Sequence, residues 1–470
     1  MDSALFDDVE DYPEPQPSFP AERSAEMPML WDENHCRLID SCARTESLYE
    51  LYLQLPRLAA DLEDNQILKD NDFPVVNTVQ ALKDFDWSML ELLHSMDHGV
   101  VESIVKNTFA FDVTMENISC FRMPQSSNPE VPGVYVVGLS ILGRNGRFLD
   151  FKEMERLIQD INRYISGYEA YAKFKADEAQ QGYSYAKTNQ SKDEQRADAF
   201  WKRVDSFAGG NATAEPAFIK KDEEIPSIKA LLKTFENMCD RSLDPAGTTR
   251  MLQSPLYVGC SKNLFERTKI YTRDSLRGMN KPMALTICIL RMHKVKVDVC
   301  VGNVLRVWKE DQLPKAEQLV ATLAGSLVYQ HGFNATEAGG TGSRTLVDED
   351  GLRANVAHIF SGTRLLLTNL RSSVQEGDLR HRFLRDIDRV NAQLQEVYKA
   401  FNEAVAFFES LPPNFEWTEN LTAMEEVLRT LQKQAEEKEQ AVRFWLLMIK
   451  IQNIWIEETG HALPLLGDGN

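Results

Sequence analysis

The sequence predicts an α+β protein: a small sheet with flanking helices, embedded in a mainly helical chain that ends in an antiparallel helical hairpin. Three observations predict it. Short β-rich runs are few, and the clearest are Val131–Leu142 and Pro255–Gly259, bounded by proline and glycine. Most other segments repeat apolar residues every three or four positions, the period of one helix face. Two long repeats of that kind flank Pro412–Pro413 near the C-terminus.

Taken in order, residues 1–28 are acidic and proline-rich, with Asp7, Asp8, Glu10 and Asp11 beside Pro13, Pro15 and Pro17. Such a tail cannot bury enough apolar surface and is expected to be disordered. Residues 29–125 read as a helical region. Leu48, Leu51, Leu55, Leu58 and Leu62 mark one helix face, and a second helix surrounds Met89, Leu90, Leu92 and Leu93. The span 131–345 carries the strands. After Val131–Leu142 a charged segment runs to about Gln253, helical by composition and broken around Gly167–Tyr168, Gly182 and Gly209–Gly210. Pro255–Gly259 is strand-like, Met283–Leu290 and Lys294–Val301 read as two further strands, and Lys315–Tyr329 reads as a helix. In 346–470, Phe383, Ile387, Val390, Leu394, Val397, Phe401, Ala404 and Phe408 form one stripe. Leu421, Met424, Leu428, Leu431, Ala435, Lys438, Val442 and Trp445 form another. They predict a helical hairpin that packs internally or offers a seam to a protein partner or a second copy.

The bulk properties bound the function. With 470 residues and 43% apolar composition the chain can bury a substantial core and divide into several domains. Its most apolar stretch, Val442–Ile456, is interrupted by Arg443, Lys450, Gln452 and Asn453, so no membrane-spanning helix is expected. The start has no basic segment followed by an apolar block, so no secretory signal is expected. Seven cysteines without a CxxC pair read as free thiols in a reducing compartment, hence an intracellular protein, nuclear or cytoplasmic. His94 and His98 stand one helical turn apart but lack a third ligand, so zinc is not expected. A net charge of −19 argues against a surface coated in basic residues, and any nucleic-acid contact must be a local basic face.

One constellation carries chemistry. Gly133-Val134-Tyr135 lies in the first strand and Tyr257-Val258-Gly259 in the second. The second is followed by Cys260-Ser261-Lys262-Asn263-Leu264-Phe265-Glu266-Arg267, a polar turn leading into a helix that presents Arg267. Glu317 lies on a later helix, and Asn334 precedes a glycine-rich loop at 339–342 that lacks the lysine of a phosphate loop. Between Lys262 and Lys296 nine basic residues face only two acids. Lys262, Lys269, Arg273 and Arg277 belong to this strip, which could meet a phosphate backbone.

These residues resemble the GIY-YIG nuclease family. Gly133-Val134-Tyr135 looks like the GIY half and Tyr257-Val258-Gly259 like the YIG half. Arg267 occupies the place of the family's arginine, Tyr271 that of the residue one turn further, Glu317 that of the metal-binding glutamate and Asn334 that of the asparagine. The resemblance implies a three-stranded sheet and a metal-dependent endonuclease using Mg2+ or Mn2+ on nucleic acid, DNA more than RNA. Residues from about 143 to 252 depart from the pattern. They would be a helical insertion at a hairpin tip, where closure entropy grows only slowly with length.

The residue types suit that chemistry. A carboxylate can hold a divalent cation as Lewis acid, and a guanidinium fork matches phosphate oxygens. A tyrosine hydroxyl, Tyr257 or Tyr135, can position or deprotonate a water if nearby cations lower its pKa. The asparagine amide can hold the glutamate's loop without adding charge. The alternative is a catalytically decayed scaffold on the same fold, recruiting nucleic acid or protein through its helical arms.

Overall fold

A computed structural model describes residues 33–44, 47–84, 87–209, 214–239, 241, 244–273, 275–340, 347–411 and 425–440. The expected acidic tail and Pro412–Pro413 lie outside the described residues. The chain divides into two compact units: Met1–Cys42 with Glu50–Leu370, and Ala43–Tyr49 with Arg371–Asn470.

The first unit begins with α1 (Glu33–Arg44), α2 (Tyr49–Asp64), α3 (Gln66–Asp70), α4 (Val76–Asp84), α5 (Trp87–His94), α6 (His98–Val105) and α7 (Phe109–Thr114). The leucines expected to share a face of α2 do so, with Leu51, Leu55, Leu58 and Leu62 all buried. β1 (Gly133–Ile141) follows, then α8 (Phe151–Gln181), α9 (Tyr183–Asn189), α10 (Lys192–Asp205) and α11 (Ile225–Asn237). β2 (Tyr257–Ser261), α12 (Leu264–Thr268), α13 (Lys281–Met292), β3 (Val297–Arg306), α14 (Gln312–Leu323), α15 (Glu349–Ala357) and α16 (Leu365–Ser410) complete the order. The protein is therefore α+β, mainly helical with one small sheet.

That sheet is antiparallel in the order β2-β1-β3. β1 is buried at all nine positions, which is why its sequence is almost continuously apolar rather than alternating. Tyr135, Val137, Leu139 and Ile141 face one core, shared with Leu157, Tyr164, Trp201, Leu231 and Ile287 from α8, α10, α11 and α13. The alternate residues face the other way. There Gly138 lies so close to α7 that an added Cβ would stand 3.1 Å from Ala110. The segment between β1 and β2 thus covers the tyrosine face of the sheet.

Three expectations are corrected. Met283–Leu290 is not a strand but the body of α13. Its residues are buried on every side, so no period distinguishes a helix from a strand. The discriminating signals are local: Asn280 Oδ1 accepts from the Met283 N–H at 3.1 Å, and Pro282 sits in the first turn. Gly167 does not break α8, which runs unbroken for 31 residues behind an Asp150–Glu153 capping box. Glycine is needed there because a Cβ would lie 2.8 Å from the Ala197 carbonyl of α10. The breaks at Gly182 and Gly209 do occur, both at positive φ. The helix expected over Lys315–Tyr329 runs instead from Gln312 to Leu323, before Gly325 turns the chain at φ 54°.

In the second unit α16 continues to Ser410, and residues 425–440 are helical. Ser47 donates to the Glu376 carboxylate, and Arg380 stacks 5.4 Å from the Tyr49 ring. Tyr398, Phe401, Val405 and Phe407 are exposed along α16.

Candidate active site

The strand pairing brings the two tyrosine motifs together. Tyr135 is the register partner of Gly259, and Val137 of Tyr257, so both tyrosines stand on one face of the sheet with ring centroids 6.3 Å apart. Each glycine has a steric reason. A Cβ at Gly259 would stand 2.5 Å from the Tyr135 hydroxyl, and one at Gly133 would stand 2.5 Å from the Leu305 carbonyl.

The turn after β2 is built by its polar residues. The Asn263 N–H donates to Ser261 Oγ at 3.0 Å, and Asn263 Oδ1 caps α12 by accepting from the Glu266 N–H at 3.1 Å. Buried Leu264 fixes the helix against β1. Arg267, one turn into α12, then points back to the sheet, and its Nε donates to the Tyr135 hydroxyl at 3.0 Å. The Tyr271 hydroxyl donates to Tyr135 at 3.4 Å, with rings 5.8 Å apart. Tyr135 is completely buried while Arg267 is exposed, so the guanidinium is tethered from below through Nε, and Arg267 also bonds the Tyr257 side chain.

The protein's own groups do not hold the tyrosines as bases. Burial pushes Tyr135, Tyr257 and Tyr271 well above the ordinary phenol range. The charge of Arg267 opposes this for all three without reversing it. Tyr135 and Tyr271 are buried, with Tyr135 bonded to Arg267, while Tyr257 is half-buried.

Glu317 approaches from elsewhere. α14 packs on β2, and the Glu317 carboxylate reaches that strand at Cys260, near enough for its charge to act on Tyr257 as well. Glu317 Oε2 accepts from the Gly339 N–H at 2.8 Å and the Cys260 thiol at 3.2 Å, and the Cys260 N–H bonds the same carboxylate. Burial raises its pKa, against the lowering by these donors and by the charge of Arg267. Glu317 and Arg267 therefore feel one another across an edge strand.

Asn334 completes that edge in a different role from the one expected. It does not hold the glutamate's loop. Its Oδ1 accepts from the Val258 N–H at 2.9 Å and its Nδ2 donates to the Val258 carbonyl at 2.7 Å, so the amide imitates a neighbouring strand. The Phe333 N–H donates to the Leu256 carbonyl at 2.9 Å. From Leu256 to Cys260 the free edge of β2 is thus closed by Phe333, Asn334 and Glu317, which protects it and fixes the height of Tyr257. Gly339 and Cys260 are the site residues that the sequence did not single out. The only available signal was a glycine pair of unassigned purpose.

The basic strip is dispersed. Lys262 stands 3.7 Å from Glu130, and Lys269 pairs with Glu266 at 2.8 Å over the Phe265 ring. Arg273 is exposed. Arg277 instead lines a pocket with Glu215, Lys220 and Lys281. Comparison with protein-family models, curated proteins and solved structures finds no match.

Of this set, Glu317 is the residue that could hold a cation. A carboxylate offers about four lone-pair positions, and three donors already use part of them. What remains is one hard oxygen ligand. That suits Mg2+ or Mn2+ bound through a single carboxylate with water and phosphate oxygens completing the shell, but not a protein cage. Among the described residues no group of three or more acidic, histidine or cysteine side chains gathers for a metal. No described helix is long and apolar enough to cross a membrane.

Proposed function

We propose that the chain is a GIY-YIG-type phosphodiesterase acting on nucleic acid, DNA in preference to RNA, with Mg2+ or Mn2+. The observation that carries this reading is the exposed Arg267 guanidinium, anchored through Nε on the buried Tyr135 hydroxyl. Anchoring the guanidinium on Tyr135 and Tyr257 fixes its direction, so its remaining donors can meet phosphate oxygens at little further cost in rotamer freedom. Tyr257 keeps its proton and serves as a hydrogen-bond donor or water-orienting group. Glu317 would hold the cation, which when bound neutralises charge on the phosphate and lowers the pKa of its water. Asn334 holds β2, and with it Tyr257, in place.

A second reading is supported by the same edge. Three protein donors receive the Glu317 carboxylate, so it can serve purely to close β2, and the fold would then bind nucleic acid without cutting it. Incubating labelled single- and double-stranded DNA and RNA with Mn2+ separates the two. Cleavage by the wild type, lost in Arg267→Ala and in Glu317→Gln, supports the enzyme. Binding without cleavage, weakened only by Arg267→Ala, supports the second reading. Cleavage equal in all three proteins overturns both.

A further inference from the structure

A second feature lies on the tyrosine-face side of the unit, where the segment between the two tyrosine motifs meets the chain after α12. Residues Glu215–Lys220 and Leu276–Lys281 enclose a pocket of 190 Å³. Its floor is apolar, with Phe218 and Leu276 buried, and its rim carries Lys220, Arg277 and Lys281, with Glu215 beside them and Glu224 paired to Lys281.

The walls are preformed. The Ala217 N–H donates to Asp205 at 2.8 Å, and the Phe218 N–H donates to the Tyr164 hydroxyl at 3.2 Å. The Tyr164 hydroxyl itself donates to Asp205 at 2.9 Å. On the opposite wall the Leu276 N–H donates to the Ala208 carbonyl at 2.8 Å, and Lys281 pairs with Glu224. Within this frame Arg277 Nε is cut off from solvent and meets no hydrogen-bond acceptor among the described residues. Lys281 is paired, whereas Lys220 and Arg277 make no ion pair among the described residues, so an anion at the rim would meet two cations that no carboxylate holds.

We infer that this pocket binds a phosphomonoester, with the phosphate on Arg277, Lys220 and Lys281 and the attached sugar or base against Phe218 and Met279. The pocket is smaller than a drug-sized site, so it takes one terminal unit rather than a length of strand. A terminal phosphate carries more charge than an internal diester, which matches a rim where Lys220 and Arg277 stand outside any ion pair among the described residues. The two sources of such a group are a phosphorylated nucleic-acid end and a free nucleotide. The first source rests on the nuclease reading; the pocket itself does not.

The test is fluorescence-polarisation binding in EDTA, so that no cleavage contributes. It uses the full chain carrying Arg267→Ala, and three probes: a 5′-phosphorylated oligonucleotide, the same oligonucleotide with a 5′-hydroxyl, and a labelled nucleoside monophosphate. Preference for the phosphorylated end, weakened at least about tenfold by Arg277→Met and by the exposed-site variant Lys220→Ala, assigns the pocket to strand ends. Each variant should also lower the salt dependence of log K against log salt by roughly one. Binding of the monophosphate alone, with the same loss, assigns it to free nucleotide. Indifference to the phosphate, or affinity unchanged in Lys220→Ala and in an Arg277→Met protein of wild-type unfolding midpoint, overturns the inference. Because the probe host lacks Arg267, failure of the nuclease reading leaves these outcomes intact.

Discussion

Gly259→Ala is the perturbation that most directly strains the joint between the two tyrosine strands. The added Cβ would stand 2.5 Å from the Tyr135 hydroxyl oxygen, 2.7 Å from Cζ and 3.1 Å from Tyr257 Cε1. Restoring ordinary contact requires the Tyr135 ring to move by about 1 Å. That ring is completely buried and cannot move freely. Its hydroxyl also receives Arg267 Nε at 3.0 Å, a bond that a shift of this size breaks. Overpacking costs about 1–3 kcal/mol, and loss of the hydrogen bond adds about 0.5–1.5 kcal/mol because exposed Arg267 regains water. The expected destabilisation is about 2–4 kcal/mol, read by urea unfolding. Tyr135→Phe removes the nearest atom, so the double variant should be less destabilised than the sum by at least about 0.5 kcal/mol. A Gly259→Ala protein within about 0.5 kcal/mol of wild type, or strict additivity with Tyr135→Phe, refutes the packing described for this joint.

Three further outcomes follow from other parts of the fold. Burial raises the Asp205 carboxyl from 3.8 to about 6. The folded chain therefore holds this proton more tightly than the unfolded chain, and the stabilisation present below pH 3.8 is lost as pH rises through about 6, by about 3 kcal/mol in total. Unfolding midpoints of Asp205→Asn across pH 4–7 should lack that component of the slope; an unchanged slope contradicts it. Arg144 and Glu153 form a buried two-fold pair at 2.7 Å, so Arg144→Met should cost about 3–5 kcal/mol in urea unfolding, while a cost below about 1 kcal/mol contradicts an unpaired buried carboxylate. Asn334→Leu leaves both polar groups of Val258 unpaired, so hydrogen exchange at the Val258 amide should accelerate at least about tenfold, and unchanged protection removes Asn334 from the strand edge.

The parts of this fold legible in the sequence were those with a local rule. β1 and β2 were visible because β-branched runs stand between prolines and glycines. Arg267 was placed because a turn and a short helix fix its direction over ten residues. The tether from Arg267 to Tyr135 links segments far apart in sequence, and no local rule announces it. α13 was misread because a fully buried helix has no polar face to set a period. Gly167 was misread because the need for glycine arises from α10, thirty residues later in the chain. The partners of Glu317 were hidden for a similar reason. Gly339 contributes a backbone N–H, which no side-chain pattern announces, and Cys260 was one thiol among seven.

The central claim is that Arg267, held on Tyr135, meets the phosphate that is cleaved. Single-turnover cleavage by Arg267→Lys in Mn2+ tests it most directly, since lysine keeps the charge but has no Nε to tether and no fork to offer. The account predicts a fall of at least about tenfold, with the unfolding midpoint near that of wild type. A lysine variant that cuts as fast as the wild type would contradict it.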